Sequence, residues 1–240
     1  MGDIKRVPTG IEELDKIIEG GFPEGSAILV KGSPGTLKTI LGLQFLYNGA
    51  KQFKDRGIYI SFTQGEESLK EQAELFGWSF DGLPVEFKNY DITREPDLEG
   101  LIVSDIKTFK PARVVVDSLT SFLSKLPLSR EEFVADQIFE AIKKVGSIPI
   151  TEDMLLRALT TRFIRRMREA DKCTVMYIYE ERTFESAKET CEYLVDGVIK
   201  LAKIEALGKR TLVVEKMRLT KHDFLARTVN VGPKGIVVEK

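Results

Sequence analysis

Val30-Lys31-Gly32-Ser33-Pro34-Gly35-Thr36-Leu37-Lys38-Thr39 is the stretch on which the fold turns. The apolar run Ala27-Ile28-Leu29-Val30 leads into it and reads as a buried strand. Ile40 to Tyr47 follows and reads as the start of a helix. A strand, a glycine-rich turn, Lys-Thr and a helix are the setting of a phosphate-binding loop. Gly32, Ser33, Pro34, Gly35, Thr36 and Leu37 form the candidate cradle. Backbone N–H groups in such a turn, and at the helix N-terminus behind it, point at phosphate oxygens. In that pattern Lys38 reaches the β- and γ-phosphates and the Thr39 hydroxyl holds Mg²⁺. One position departs, because the pattern has Gly where this chain has Leu37. Leu37 fits without strain if its φ is negative. A left-handed conformation there costs about 1–2 kcal/mol. Its backbone N–H survives either way.

Outward from the loop, the chain has 240 residues, 42% of them hydrophobic and 30% charged, enough to bury a large core in one domain without disulfides. Lys and Arg number 36 against 37 Asp and Glu, so net charge exerts no overall pull on nucleic acid or anionic lipid. Cys173 and Cys191 have no His or Cys partners at metal-ligand spacing and lie in apolar surroundings, which reads as reduced and buried. No N-terminal apolar run resembles a signal peptide, and no run of about 20 apolar residues is present to span a membrane. The expected location is the cytoplasm, with no membrane partner.

Upstream of the loop, Val7-Pro8-Thr9-Gly10 turns into a helix with Ile11, Leu14, Ile17 and Ile18 at helical spacing, stopped by Gly20-Gly21. Downstream, strands are expected at 57–62, 85–90, 113–118 and 173–179. Helices are expected at about 66–75, 98–109, 130–145, 151–171 and 186–195. A strand-rich tail covers 197–203, 211–218, 227–231 and 235–238. Alternating strands and helices followed by strands imply an α/β fold: a mostly parallel sheet flanked by helices, with antiparallel C-terminal strands.

Four further groups carry chemistry. Asp117 ends an apolar strand, where a phosphate-loop fold often places an Asp for Mg²⁺; a helix cap is the alternative. Glu66-Glu67 follows the second strand, where a general base for water is useful, but acidic residues at a helix start also favour the helix dipole. Lys216 and Arg218 are two residues apart, which on a strand puts both on one face; a solvated edge would look the same. Arg157, Arg162, Arg165, Arg166 and Arg168 interleave with an apolar stripe, and the set reads either as a phosphate-binding face or as a solvated one. The one histidine, His222, reads as a surface residue.

With these residues in place, the chain resembles a single-domain archaeal member of the KaiC-like, RecA/RadA-type ATPase family. The resemblance runs from Arg6 to about Val238. It is carried by Arg6-Val7-Pro8-Thr9-Gly10-Ile11, Leu14-Asp15, Gly20-Gly21-Phe22-Pro23-Glu24-Gly25-Ser26 and the phosphate loop. Phe76-Gly77-Trp78, Val114 to Ser118, Val195 to Ile199 and Lys216-Met217-Arg218 continue it. It implies a RecA-like core over 1–240, with a helical insertion at about 130–172. It also implies ATP (or ADP) with Mg²⁺ bound between subunits of a homo-oligomeric ring, usually of six. By resemblance Lys38 and Thr39 are phosphate and Mg²⁺ residues and Asp117 is the Walker B Asp. Lys216 and Arg218 match a Lys-Met-Arg motif that reaches the neighbouring subunit's γ-phosphate.

The departures cluster at the same centre. Counted without gaps from Tyr59 to Trp78, the family's catalytic Glu-Glu falls on Thr63-Gln64. Glu66-Glu67 replaces it only if the chain bulges by three residues. The γ-phosphate-sensing Gln falls on Glu180, and the Gly after Lys-Met-Arg is Leu219. Loss of a positioned base costs about 10²–10⁴-fold in rate. The expectation is a nucleotide-binding protein with weak or lost hydrolysis, in which nucleotide acts as an assembly or switch ligand. Two alternatives stand beside it: a DNA-dependent ATPase of the RadA-paralogue kind, and an interaction scaffold that no longer binds nucleotide.

Overall fold

Alternate residues of the strand before the phosphate loop enter two separate cores, Ala27 and Leu29 one, Ile28 and Val30 the other. A strand covered on both faces reads as a continuous apolar run, which is how this segment reads. The computed structural model describes residues 4–91, 94–95, 97–125, 151–181 and 184–239. In chain order its elements are β1 (Arg6–Val7), α1 (Glu12–Ile17), β2 (Phe22–Pro23), β3 (Ala27–Gly32) and α2 (Lys38–Asn48), then β4 (Gly57–Ser61), α3 (Glu66–Glu74), β5 (Val85–Asn89) and α4 (Leu98–Phe109). They continue with β6 (Arg113–Asp117), α5 (Leu119–Lys125), α6 (Glu152–Ala170), β7 (Thr174–Glu180), α7 (Glu185–Leu194), β8 (Gly197–Ile204), β9 (Lys209–Met217), β10 (Arg227–Gly232) and β11 (Gly235–Val238).

Among the described residues the main sheet has nine strands in the order β11-β10-β9-β8-β3-β7-β6-β4-β5. The six from β8 to β5 are parallel; β9, β10 and β11 extend them antiparallel. The fold class is thus α/β with the expected mixed sheet. A separate two-stranded ribbon pairs β1 with β2; two-residue strands are too short to leave a periodic signal in sequence. Helices cover both faces. Leu14, Leu41, Phe45 and Leu69 of α1, α2 and α3 meet Tyr59, Val115 and Ile178 on one face. Ile102, Phe122, Phe163 and Cys191 of α4, α5, α6 and α7 meet Val114, Val116 and Tyr177 on the other. Each such side chain contributes about 1.5–3 kcal/mol when fully buried.

The helix expected over 151–171 is α6. Thr151 caps it by accepting from the Met154 N–H, and its stripe Leu155, Leu159, Phe163 and Met167 is buried. The helix expected at 130–145 and the loop after it lie outside the described residues, so of the segment at about 130–172 only α6 and the residues beside it are described here. No described helix is long and apolar enough to cross a membrane. Both cysteines are buried thiols, and burial pushes Cys173 up to about 12.

Parallel register is what builds the site. Gly32 of β3 lies opposite Glu180 of β7, and Ser61 of β4 opposite Asp117 of β6. Four strand ends therefore reach the same edge of the sheet, the carboxyl edge at which open α/β sheets bind ligands.

Candidate functional site

The loop between β3 and α2 has little freedom to change. A Cβ on Gly32 would lie 2.2 Å from the Leu201 carbonyl oxygen and 2.7 Å from Thr36 Oγ1. The Thr36 hydroxyl donates to the Ser33 carbonyl at 2.8 Å and tightens the turn. Leu37 sits at φ 75, ψ 20, the left-handed conformation that glycine holds without strain. The condition under which Leu37 is strain-free is not met, and this leucine holds a glycine geometry at a cost of about 1–2 kcal/mol. Its side chain packs against the core beneath α2.

Leu37 gives α2 no side-chain cap, and the first turn of α2 carries no acidic residue. The first N–H groups of an α-helix have no partners within it, so this end offers donors and a positive dipole to an anion. Lys38 is buried beside them, its side chain 4% exposed. Its ammonium donates to the carbonyls of Gly32 at 2.8 Å and Ser33 at 2.9 Å and pairs with Glu180 Oε1 at 2.8 Å.

The Thr39 hydroxyl donates to Asp117 Oδ2 at 2.8 Å, and the Tyr59 hydroxyl donates to the same oxygen at 2.6 Å. Burial pushes the Asp117 carboxyl above the ordinary carboxylate value. Tyr59, Thr39 and Lys38 pull it back, and Glu180 opposes them. Burial, with the Asp117 charge beside it, holds the Tyr59 phenol well above its ordinary value. Thr39 and Asp117 are hard oxygen donors of the kind Mg²⁺ takes, and Mg²⁺ commonly uses one or two carboxylates together with phosphates. Among the described residues no group of three or more His, Cys, Asp and Glu forms a protein-only cage. The uncapped helix start, the buried ammonium and this oxygen pair fit a phosphate-bearing ligand with its cation.

Three site neighbours were not legible as such in the sequence. Tyr59 reads as one more apolar residue of β4. Its contact with Asp117 follows from the β4–β6 pairing, whose partner strand lies more than fifty residues away in the chain. Arg210, at the start of β9, donates to the Gly35 carbonyl at 3.2 Å. The ammonium of Lys203 is 2.8 Å from where a Gly35 Cβ would stand. The β8–β9 hairpin thus braces the outer side of the loop, a contact that sequence spacing does not announce.

The other sequence candidates lie elsewhere. β4 pairs in regular register up to Ser61, and α3 begins at Glu66. Glu66 pairs with Lys70 one turn on, and Glu66 and Glu67 are both exposed. Thr63 and Gln64 follow β4 after Phe62; their N–H groups donate to Ser61 Oγ. Lys216 and Arg218 are at the opposite edge. Met217 pairs with Gly197, which pairs with Ile28. That is about 13 Å below Gly32 along the strand and two strands across. The Lys216 ammonium donates to the carbonyls of Glu192, Tyr193 and Val195, the C-terminal end of α7. Burial, with Arg218 beside it, holds Lys216 below its usual value. Arg218 pairs with Asp196 and is half exposed.

The arginine row is largely committed within the chain. Arg162 and Arg166 both pair with Glu99, whose side chain is 2% exposed. Arg157 pairs with Asp153 and Glu189, and Arg168 with Asp196. These pairs fasten α6 to α4 and α7. Arg165 is exposed.

A family model described as "ATPase: KaiC" matches residues 7–240. The chain belongs to the KaiC family of ATPases. A UPF0273 protein of Thermotoga maritima is 31% identical over 246 residues, covering 98% of this chain and 96% of its own length. The circadian clock oscillator protein KaiC of Prochlorococcus marinus is 30% identical over 251 residues, 98% of this chain but 46% of the clock protein. This KaiC-family chain therefore spans about half of that relative. The crystal structure of a KaiC-like protein from Pyrococcus horikoshii superposes with a TM-score of 0.74 at 25% identity, covering 99% of this chain and all of the other. In this chain Thr39 reaches Asp117, and Lys38 pairs with Glu180.

Proposed function

We propose that this KaiC-family chain binds ATP or ADP with Mg²⁺ in the Gly32–Thr39 loop and hydrolyses ATP slowly or not at all. The observation that carries the reading is the convergence of Lys38, Thr39 and Asp117 beside an uncapped helix start. In this reading the N–H groups of the loop and of α2 bind the phosphates, Lys38 neutralises their charge, and Thr39 and Asp117 hold the cation. When bound, Mg²⁺ supplies charge neutralisation across the phosphate oxygens. After β4 come Phe62, Thr63 and Gln64, none of them a general base, while the nearest carboxylates in sequence, Glu66 and Glu67, face solvent. A Glu66 or Glu67 base would require α3 to rearrange.

We further read the nucleotide as an assembly or switch ligand in a homo-oligomeric ring, a hexamer as the family resemblance implies. Lys216 and Arg218 are too far from this chain's own loop to serve it, so any phosphate they meet belongs to another copy. Half-exposed Arg218 is the better placed of the two, because Lys216 is bound to three carbonyls of α7.

Thermal unfolding with and without nucleotide tests the binding. At about one hundred times its dissociation constant a ligand adds about 2.7 kcal/mol, which raises Tm by about 5–10 °C for a domain of this size. Mg·ADP should do so in the wild type and not in Lys38→Ala. No rise with either Mg·ADP or Mg·ATP at millimolar concentration would refute the reading in favour of a scaffold.

A further inference from the structure

The Lys38–Glu180 pair has a consequence for which nucleotide the loop accepts. Glu180 is the last residue of β7, and the β3–β7 ladder fixes it opposite Gly32. Its N–H donates to Thr120 Oγ1 at 2.8 Å, and the next N–H, of Glu181, donates to the Gly32 carbonyl at 3.3 Å. The backbone that carries this carboxylate is thereby fixed at the mouth of the loop, by the Thr120 hydroxyl and the Gly32 carbonyl. A lysine ammonium has three protons. That of Lys38 meets three acceptors, the carbonyls of Gly32 and Ser33 and Glu180 Oε1.

We propose that Glu180 is a specificity-determining residue that biases the loop toward a nucleoside diphosphate over a triphosphate. The inference rests on the nucleotide-binding reading above. A diphosphate lies on the N–H groups of the loop and the start of α2, and its β-phosphate can take Lys38 from the Gly32 and Ser33 carbonyls while the third proton stays on Glu180. A terminal phosphate claims the remaining proton of Lys38 as well. It has to break the 2.8 Å ion pair and then sits beside the freed carboxylate, with Asp117 also near. Like charges brought together out of bulk water repel strongly. Glu180 thus occupies the role of an internal anion that the third phosphate must displace. Its side chain is one-third exposed, so it has room to swing outward when displaced. Triphosphate binding then carries the cost of that movement and diphosphate binding does not.

Isothermal titration of the full chain with Mg·ADP and with Mg·ATPγS, in the wild type, Glu180→Gln and Glu180→Ala, tests this. The wild type should bind Mg·ADP at least about tenfold tighter than Mg·ATPγS, and both variants should shrink that ratio by about tenfold or more. Glu180→Gln keeps the shape of the side chain, and Mg·ADP binding by either variant reports that it is folded. Three results would overturn the proposal. One is a ratio that neither variant moves, another is a wild type that prefers Mg·ATPγS, and the third is a Glu180→Gln variant that weakens Mg·ATPγS binding selectively. The last would make Glu180 a cation-holding residue instead. If the wild type binds neither nucleotide, the nucleotide reading itself fails and this inference with it. Mg·ADP binding with an unmoved ratio sinks the Glu180 inference alone.

Discussion

The Thr39 hydroxyl donates to Asp117 Oδ2 at 2.8 Å, joining the first turn of α2 to the end of β6. This contact links the phosphate loop to a strand-end carboxylate placed to share a cation with it. Burial disfavours the charged form of Asp117, so its charge weakens the fold when no cation is present. Asp117→Asn keeps an acceptor for Thr39 and Tyr59 and removes that charge. We expect the variant to melt at the same temperature as the wild type or higher in the absence of nucleotide. We expect its ADP affinity to be indifferent to EDTA, whereas the wild type should lose about tenfold or more on Mg²⁺ removal. Equal EDTA sensitivity in the two proteins would remove Asp117 from the cation site.

Leu37 holds φ 75, and two substitutions separate the cost of that geometry from the value of its packing. Leu37→Gly relieves about 1–2 kcal/mol of strain and loses part of the packing beneath α2, so its stability should stay within about 1 kcal/mol of wild type. Leu37→Val keeps the strain and adds a β-branched side chain that tolerates positive φ poorly; it should lose at least about 1 kcal/mol. Chemical denaturation measures both. A Leu37→Val variant as stable as wild type would mean that the loop adopts another conformation.

Lys216 and Arg218 should part company under mutation. The Lys216 ammonium closes the C-terminal end of α7, so Lys216→Met should cost about 1 kcal/mol and about 2–4 °C in Tm. Arg218→Ala breaks one exposed pair with Asp196 and should leave Tm nearly unchanged. It should, however, reduce any change in oligomer size that ATP produces in light scattering. A stability loss in Arg218→Ala with unaltered assembly would assign both cations to the fold alone.

The pair between Arg227 and Asp223 predicts a local pH response. Hydrogen bonds from Arg227, helped by the Leu225 N–H, hold the Asp223 carboxyl down at about 2. The unfolded value is about 3.9, so the folded value is the lower one. The stabilisation from this pair is present in full above the unfolded value and is lost as pH falls through about 2. In Arg227→Gln the Asp223 carboxyl should titrate near the ordinary value when followed by NMR. A midpoint still near 2 would show that Arg227 is not what holds it there.

Much of the fold was legible in the sequence because its signals are local. Val114 to Val116 reads as a strand buried on both faces and is one. The helix expected over 98–109 has those bounds, opened by the Asp97 side chain accepting from the Gly100 N–H. Lys38 and Thr39 were legible for the same reason, since strand, loop and helix are contiguous. What stayed hidden depends on strand order and on backbone angles. That Glu180 meets Lys38 follows from β7 lying against β3, and no spacing within the chain reports that. Lys216 reads as a cation sharing a strand face with Arg218 or lying on a solvated edge, and its bonds to the end of α7 leave no mark in the spacing. The arginine row reads in sequence either as a phosphate-binding face or as a solvated one, and spacing does not report that Arg162 and Arg166 pair with a buried Glu99. The sign of φ at Leu37 left no trace in residue identity at all.

We read the loop as holding a nucleotide that it is poorly equipped to cut. Single-turnover hydrolysis of Mg·ATP by excess protein, followed by rapid quench, tests it most directly. With no positioned base, bound ATP should be cleaved on the order of 0.1 s⁻¹ or slower, 10²-fold or more below an ordinary enzyme's rate of about 10 s⁻¹. Cleavage near about 10 s⁻¹ that disappears in Lys38→Ala would contradict the account and return Glu66 or Glu67 to the role of base.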